Sequence, residues 1–150
     1  MPEIQSLLSG RPVLTLPETS SALDAAREMS RNKVGAILVV DASGRPRGIF
    51  TERDLMTRIV VEGRDPAGAR LGEVMTRELY TSPPERKVAE VCRELQQRHI
   101  RHLPVVKDDQ VIGMLSLRDL LRADLEQASQ ELSETQRYIR SEAGDLPPPV

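Results

Sequence analysis

Hydrophobic positions change period along the chain, and these changes predict alternating strands and helices. Short apolar runs at residues 13–16 and 37–40 predict two strands. Between them, four apolar residues at spacings of three, one and three predict one buried helical face: Ala22, Ala25, Ala26 and Met29. Turn-forming residues at 41–44 predict a hairpin whose return strand covers residues 48–50.

The same order of elements occurs a second time. A shift of 66 residues takes Thr15 to Thr81, and takes the helical face to Val88, Val91, Cys92 and Leu95. One residue is missing from the second hairpin, so a shift of 65 takes Gly48, Thr51 and Asp54 to Gly113, Ser116 and Asp119. We predict a tandem duplication of a strand-helix-strand-strand-helix unit, an α+β fold. The exposed sheet faces of the two copies would bury each other about a pseudo-two-fold axis and leave two equivalent clefts.

A long helix is predicted after the second repeat. Its apolar or small residues alternate at spacings of four and three, as in a coiled-coil seam: Leu121, Leu125, Ala128, Leu132, Thr135 and Ile139. A coiled coil and a helix that packs back on its own domain both fit this pattern. The expected organisation is a first repeat with the start of the linker at 2–66, a second repeat at 67–123, a C-terminal helix at 124–143 and a flexible tail at 144–150.

Composition narrows the functional classes. The chain has 150 residues, 39% hydrophobic and 29% charged, which suits a globular protein. A formal net charge of −2 argues against nucleic-acid binding, and no apolar run is long enough to cross a membrane. The single cysteine, Cys92, cannot form an internal disulfide and lies on a predicted apolar face, so we expect it in the core and the protein in the cytoplasm.

Catalytic and metal-binding signatures are missing from the sequence. The chain has two histidines and contains no Cys-x-x-Cys, no Gly-x-Ser-x-Gly and no phosphate-binding Gly-x-x-x-x-Gly-Lys motif. No pair of carboxylates stands in a context that suggests acid/base chemistry. We therefore predict that the protein is not an enzyme and binds no metal.

The strongest candidate for a binding site is the strand-to-helix junction that occurs in both repeats. Thr51-x-x-Asp54 and Ser116-x-x-Asp119 can each form a capping box, in which the hydroxyl and the carboxylate satisfy backbone N–H groups. A helix N-terminus also attracts phosphate, the adjacent Arg53 or Arg118 can pair with it, and the carboxylate can accept ribose hydroxyls. Both interpretations remain open at this point.

A basic cluster distinguishes the two repeats. Arg101 and His102 follow the second predicted helix, and either could meet a phosphate. The corresponding residues of the first repeat are Gly35 and Ala36, which carry no charge. If only one cleft binds a phosphorylated ligand, we expect it to be the one that contains Asp119.

These features together resemble the cystathionine β-synthase (CBS) domain. The resemblance rests on the 60-odd-residue repeat, the Leu-Pro-Val-Val strand at 103–106 and the ending Gly-h-x-(Ser/Thr)-x-x-Asp, where h is hydrophobic. Two copies in tandem resemble a Bateman module over residues 2–123, of the small stand-alone bacterial type. The family implies a non-enzymatic sensor that requires no cofactor and binds AMP, ADP or ATP, or else S-adenosylmethionine or NAD(H). It also implies a homodimer. Separately from the resemblance, the C-terminal helix is an interaction surface in either packing and could bind a partner protein. The rival hypothesis is a ligand-free interaction or dimerisation module whose motifs only cap helices.

The resemblance also implies site residues. The preferred second cleft would consist of Thr15, Arg101, His102, Leu103, Ser116, Arg118 and Asp119. The weaker first cleft would consist of Thr81, Ala36, Ile37, Thr51, Arg53 and Asp54. In both, the threonine from the first strand of the opposite repeat would line the adenine, the junction hydroxyl would lie beside the phosphate, and the aspartate would take the ribose hydroxyls.

Overall fold

The structure is a computed structural model that describes residues 2–144. The fold is α+β, with two repeats of strands and helices followed by a long C-terminal helix. A 3₁₀-helix at Ile4–Leu7 precedes the first strand, and a π-helix occupies Leu55–Val60. The other elements, in chain order, are β1 (Thr15–Pro17), α1 (Ala22–Asn32), β2 (Ala36–Val40), β3 (Pro46–Thr51), α2 (Glu52–Asp54), α3 (Leu71–Val74), α4 (Val88–Arg98), β4 (His102–Lys107), β5 (Gln110–Ser116) and α5 (Leu117–Gly144).

The chain forms two compact units. The larger comprises Leu8–Pro84 and His102–Leu115, and it holds the first repeat together with the hairpin of the second. Within the described residues, the smaller comprises 2–7, 85–101 and 116–144, and it holds α4 and α5.

The larger unit contains a three-stranded sheet in the order β1-β2-β3. β1 runs parallel to β2, and β2 runs antiparallel to β3 with Ala36 opposite Thr51. The strand predicted at 13–16 lies instead at Thr15–Pro17. Proline is tolerated there because β1 is an edge strand. On the open side of this strand no neighbouring strand would accept a backbone N–H, so its absence in proline removes no hydrogen bond of the sheet.

The second repeat has a shorter counterpart of this sheet. β4 and β5 form a two-stranded hairpin, and the segment equivalent to β1 contributes only a parallel bridge between Ser82 and Val105. Two backbone hydrogen bonds hold the bridge, from Ser82 N to Pro104 O at 3.2 Å and from Val106 N to Ser82 O at 2.9 Å.

The two predicted helical faces lie in the core. Ala22, Ala25 and Met29 of α1 are buried beside Phe50, whereas Ala26 is half-buried. In the smaller unit all four predicted residues of α4 are buried: Val88, Val91, Cys92 and Leu95. The prediction of a core Cys92 is thus confirmed.

The helices that follow the two junctions differ in form. After Thr51, α2 covers three residues and then widens into the π-helix, where the N–H of Val61 reaches Met56 O at 2.9 Å. β-Branched residues are concentrated here and weaken the α-helical preference: Thr57, Ile59, Val60 and Val61.

By contrast, α5 is one α-helix of 28 residues, which continues through positions 123 and 124 without a break. Residues 145–150, most of the predicted tail, lie outside the described part of the chain. Between residues 2 and 144, no helix has both the length and the apolar composition that a bilayer span requires.

Candidate functional site

The first strand-to-helix junction lies in the larger unit and is a complete capping box. The N–H of Asp54 donates to Thr51 Oγ1 at 3.2 Å, and Thr51 N donates to Asp54 Oδ2 at 3.0 Å. Thr51 Oγ1 also donates to Asp54 Oδ2 at 3.1 Å. Ala36 pairs with Thr51 across the sheet, and Gly35 O accepts the N–H of Glu52 at 3.0 Å. The capping interpretation of this motif is confirmed.

The other carboxylate oxygen of Asp54 is also engaged. Thr76 Oγ1 donates to Asp54 Oδ1 at 3.3 Å, and Arg58 Nε lies 3.4 Å from the same oxygen. Arg58 is held in turn by Met75 O, which accepts from Nη1 at 3.0 Å. Asp54 is only 8% exposed. Its carboxylate is therefore neutralised and hydrogen-bonded on both oxygens by its own unit.

A close backbone approach brings Thr76 to Asp54. Thr76 and Ile49 exchange two backbone hydrogen bonds, at 2.9 and 2.8 Å, which fix the segment before the second repeat against β3. A Cβ at Gly48 would lie 2.8 Å from Thr76 O, so a side chain there would push this segment away. Gly48, part of the repeated motif, is thus needed for the contact with Asp54.

The second junction lies in the smaller unit and has the same cap with a different environment. Asp119 N donates to Ser116 Oγ at 3.1 Å, and Ser116 N donates to Asp119 Oδ2 at 3.0 Å. Asp119 is exposed, and among the described residues no hydrogen bond or ion pair reaches its Oδ1. The position equivalent to Arg58 is Ala123, so this repeat lacks the cation that neutralises Asp54.

Two arginines accompany Asp119 at the start of α5. The carbonyl of Arg101 accepts the N–H of Leu117 at 2.7 Å, which places Arg101 at the first turn of the helix. The side chains of Arg101 and Arg118 are both exposed. The positive end of a 28-residue helix adds to their charge. This group can attract an anion while Asp119 accepts hydrogen bonds from hydroxyls.

The remaining residues predicted for the second cleft lie in the larger unit. Thr15 is exposed and pairs with Leu38, whereas the side chain of Leu103 is fully buried and can offer a ligand only its backbone. His102 lies beside Gly35: a Cβ at Gly35 would be 3.3 Å from His102 Nε2 and 3.5 Å from Glu52 Cδ. Within this unit, His102 is therefore a neighbour of the first junction.

The residues predicted for the first cleft, by contrast, all lie in the larger unit. Ala36 and Ile37 are buried, and Ile37 too could offer only its backbone to a ligand. Arg53 is exposed at the start of α2. Thr81 is exposed and precedes the bridge from Ser82 to β4.

Sequence reasoning missed Arg58 and Thr76. Arg58 lies four residues after Asp54, a helical spacing that could have indicated an ion pair. Thr76 lies 22 residues away, and no local pattern indicates its contact.

A third capping box, at the start of α1, shows that the motif also occurs outside the predicted clefts. At the start of α1, Asp24 N donates to Ser21 Oγ at 3.1 Å and Ser21 N donates to Asp24 Oδ2 at 3.4 Å. This pair belongs to neither predicted cleft. The cap geometry alone therefore does not identify a ligand site, and the surroundings of each aspartate must do so. Within residues 2–144, no group of three or more His, Cys, Asp or Glu side chains could hold a metal ion.

Comparison with known families decides the relationship. The CBS domain family matches the chain twice, at residues 6–61 and 71–126. The chain belongs to the CBS domain family. It carries two CBS domains in tandem, and CBS pairs are regulatory modules.

The proteins similar to this chain also contain CBS domains. The CBS domain-containing protein CBSX3, mitochondrial, from Arabidopsis thaliana is 38% identical over 121 residues, which cover 78% of this chain and 59% of that protein. The crystal structure of the CBS-domain containing protein ATU1752 from Agrobacterium tumefaciens matches with a TM-score of 0.77 and 28% identity, over 82% of this chain and 99% of that one. The CBS domain pair of protein MJ0100 matches with a TM-score of 0.76 and 23% identity, over 85% and 98% of the two chains. That domain pair was crystallised with 5′-methylthioadenosine and S-adenosyl-L-methionine.

Proposed function

We propose that this tandem CBS protein is a non-enzymatic sensor that binds an adenosine-containing ligand at the start of α5. The ligand class is AMP, ADP or ATP, with S-adenosylmethionine and NAD(H) as further members to test. The protein would have two conformations that a partner protein distinguishes, and ligand binding would favour one of them. A ligand that bound both conformations equally would not shift the equilibrium between them.

The observation that carries the proposal is the difference between Asp54 and Asp119. Both cap a helix, but Asp54 is buried with Arg58 and Thr76 on its second oxygen. Asp119 is exposed, and its Oδ1 remains available to ribose hydroxyls. A carboxylate that is already neutralised gains less from a new donor than one that is open to solvent.

The charges around Asp119 favour a phosphorylated ligand. Arg101 and Arg118 are exposed at the same end of α5, where the helix dipole is positive. Two guanidinium groups at the positive end of a helix suit a phosphate, and the carboxylate suits the ribose. The likeness to MJ0100, at 23% identity, is one of fold, so its ligands enter only as compounds to test.

Titration calorimetry of the purified chain against AMP, ADP, ATP, S-adenosylmethionine and NADH tests the proposal. Asp119→Ala should weaken binding at least about 10-fold, since hydrogen bonds to a charged acceptor contribute roughly 1.5–3 kcal/mol. Asp54→Ala should leave binding nearly unchanged. Asp24→Ala is the matched control, because it removes an equivalent cap outside both predicted clefts.

The outcomes are distinct. Equal loss of binding in Asp119→Ala and Asp24→Ala would mean that cap loss, not ligand contact, is responsible. Loss in Asp54→Ala alone would move the site to the first junction. Absence of binding by all five compounds would reject the proposal in favour of the second candidate.

The second candidate is a ligand-free interaction module, and two observations favour it. Ser21 and Asp24 form the same box as the junctions without being part of a predicted cleft. In addition, Met56 and Val60 of the π-helix and Val61 directly after it are 54–72% exposed, an apolar surface suited to a second subunit.

We propose that the protein is a homodimer in either case, with the cytoplasm as its expected location. Sedimentation of Val60→Glu should show dissociation if this surface forms the dimer; Glu62→Lys on the neighbouring exposed segment is its control. A wild-type chain that sediments as a monomer at high micromolar concentration would refute the homodimer.

A further inference from the structure

Helix α5 uses one face inside its own unit. Leu120 is fully buried and α5 packs against α4. Ala123 and Gln127, at helical spacings of three and seven from Leu120, are half-buried on the same side. These residues define the inner face of the helix.

The seam of apolar and small residues lies on another face and is open to solvent. Leu121 is 41% exposed, Leu125 72%, Leu132 61% and Ile139 59%. The small members of the seam, Ala128 and Thr135, are exposed as well. The seam is therefore not covered by its own chain, and of the two possibilities left open by the spacing only the intermolecular one agrees with this exposure.

We propose that the seam binds the α5 helix of a second copy of this chain in antiparallel orientation, with the two-fold axis at Gln130. In this register Leu121 faces Ile139 of the partner subunit, Leu125 faces Thr135 of the partner subunit, and Ala128 faces Leu132 of the partner subunit. The reciprocal contacts complete six layers over about 27 Å of helix.

The order of side-chain sizes selects this orientation. Each antiparallel layer contains at least one leucine or isoleucine, and the small Ala128 and Thr135 each face a leucine. A parallel pair would instead set Ala128 against Ala128 and Thr135 against Thr135 of the partner subunit. That arrangement leaves two thin layers, while large residues facing small ones fill the space evenly.

Self-complementarity also identifies the occupant as a second copy. The spacing of the seam is unchanged when the helix is reversed about residue 130, and each of its small residues then falls opposite a leucine, a complementarity that an unrelated partner helix would have no reason to share. The antiparallel register sets Glu131 beside Glu131 of the partner subunit. Because this flanking repulsion is exposed and screened by ions, pairing should strengthen as salt concentration rises.

Disulfide trapping in the full-length chain tests both pairing and orientation. Leu125→Cys is prepared in an affinity-tagged chain and Thr135→Cys in an untagged chain, and each is oxidised alone and mixed. The antiparallel register predicts cross-linking between the two variants in the mixture and little in either alone. The wild-type chain is the control for Cys92, which is buried and should not cross-link.

Charge substitutions test the seam itself. Leu132→Glu, added to both cysteine variants, should reduce the mixed cross-link at least about 10-fold, because it would bury a charge in the pair. Ser133→Glu adds the same side chain one position along, away from the seam, and should have little effect.

Cross-linking of each single variant with itself would overturn the antiparallel register in favour of a parallel pair. Equal cross-linking in the two single variants and in their mixture would indicate random collision. The absence of cross-linking in all three samples would overturn the pairing altogether. Pairing of α5 does not require a ligand, so these results are independent of the nucleotide titrations.

Discussion

Removal of the Asp54 carboxylate should destabilise the protein more than removal of either matching aspartate. Asp24, Asp54 and Asp119 occupy the same position in three capping boxes. Only Asp54 is buried, with Arg58 and Thr76 on its second carboxylate oxygen. The three alanine variants therefore separate, within one protein, the contribution of a helix cap to the free energy of unfolding from the contribution of the contacts around Asp54.

The expected magnitudes follow from the interactions that each substitution removes. Loss of a helix cap costs about 1 kcal/mol, which is the full effect expected for Asp24→Ala and Asp119→Ala. Asp54→Ala also leaves the Thr76 hydroxyl without a charged acceptor, at a further cost of about 1.5–3 kcal/mol. The half-exposed Arg58 adds at most about 1 kcal/mol, because solvent screens its ion pair. The total for Asp54→Ala is then about 2.5–5 kcal/mol.

Urea and thermal unfolding measure these differences. For a chain of this length, about 1 kcal/mol corresponds to a fall in Tm of roughly 2–4 °C, so Asp54→Ala should lower Tm by about 5–20 °C and the other two by about 2–4 °C. Thr76→Val should recover part of the Asp54→Ala loss when the two are combined, since the orphaned hydroxyl is removed as well. An Asp54→Ala variant no less stable than Asp24→Ala would refute the reasoning, because it would mean that Arg58 and Thr76 add nothing to the cap.

Two further predictions concern a glycine and the cysteine. Gly48→Ala should lower the free energy of unfolding by about 1–3 kcal/mol more than Gly113→Ala does. A Cβ at position 48 would lie 2.8 Å from a backbone carbonyl oxygen, whereas a Cβ at position 113 would press only on the flexible end of Leu8. Equal urea midpoints for the two variants would contradict this prediction. Burial, and then the charge of Asp124, raise the pKa of the Cys92 thiol above its ordinary value of 9.0. The folded protein should therefore react far more slowly with a thiol reagent than the unfolded chain. Its stability should also decline above pH 9.0, because there only the unfolded chain ionises the thiol. Rapid labelling of the native protein would contradict this prediction, since it would show that Cys92 is accessible.

Local patterns in the sequence predicted much of the fold. The helical faces of α1 and α4, the hairpin turn and the two capping boxes depend on residues within about four positions of one another, and a single sequence displays them directly. The duplication was visible because the same local pattern recurs after Thr15 and again after Thr81. Strand ends were less accurate, since Pro17 could join β1 only because that strand lies at a sheet edge.

The chemical difference between the two junctions depended on contacts that are distant in sequence. Asp54 and Asp119 have the same motif, and only the folded chain brings Thr76 against one of them and leaves the other exposed. His102 approaches Gly35, 67 positions away, because the tertiary structure sets the two strand starts side by side. The spacing of residues in the sequence predicted the seam of α5, but the exposure of the seam depended on which face of the helix packs against α4. Sequence periodicity thus determined which elements form and which faces are apolar, whereas the tertiary structure decided which polar groups are neutralised, because burial and ion pairing depend on distances in space.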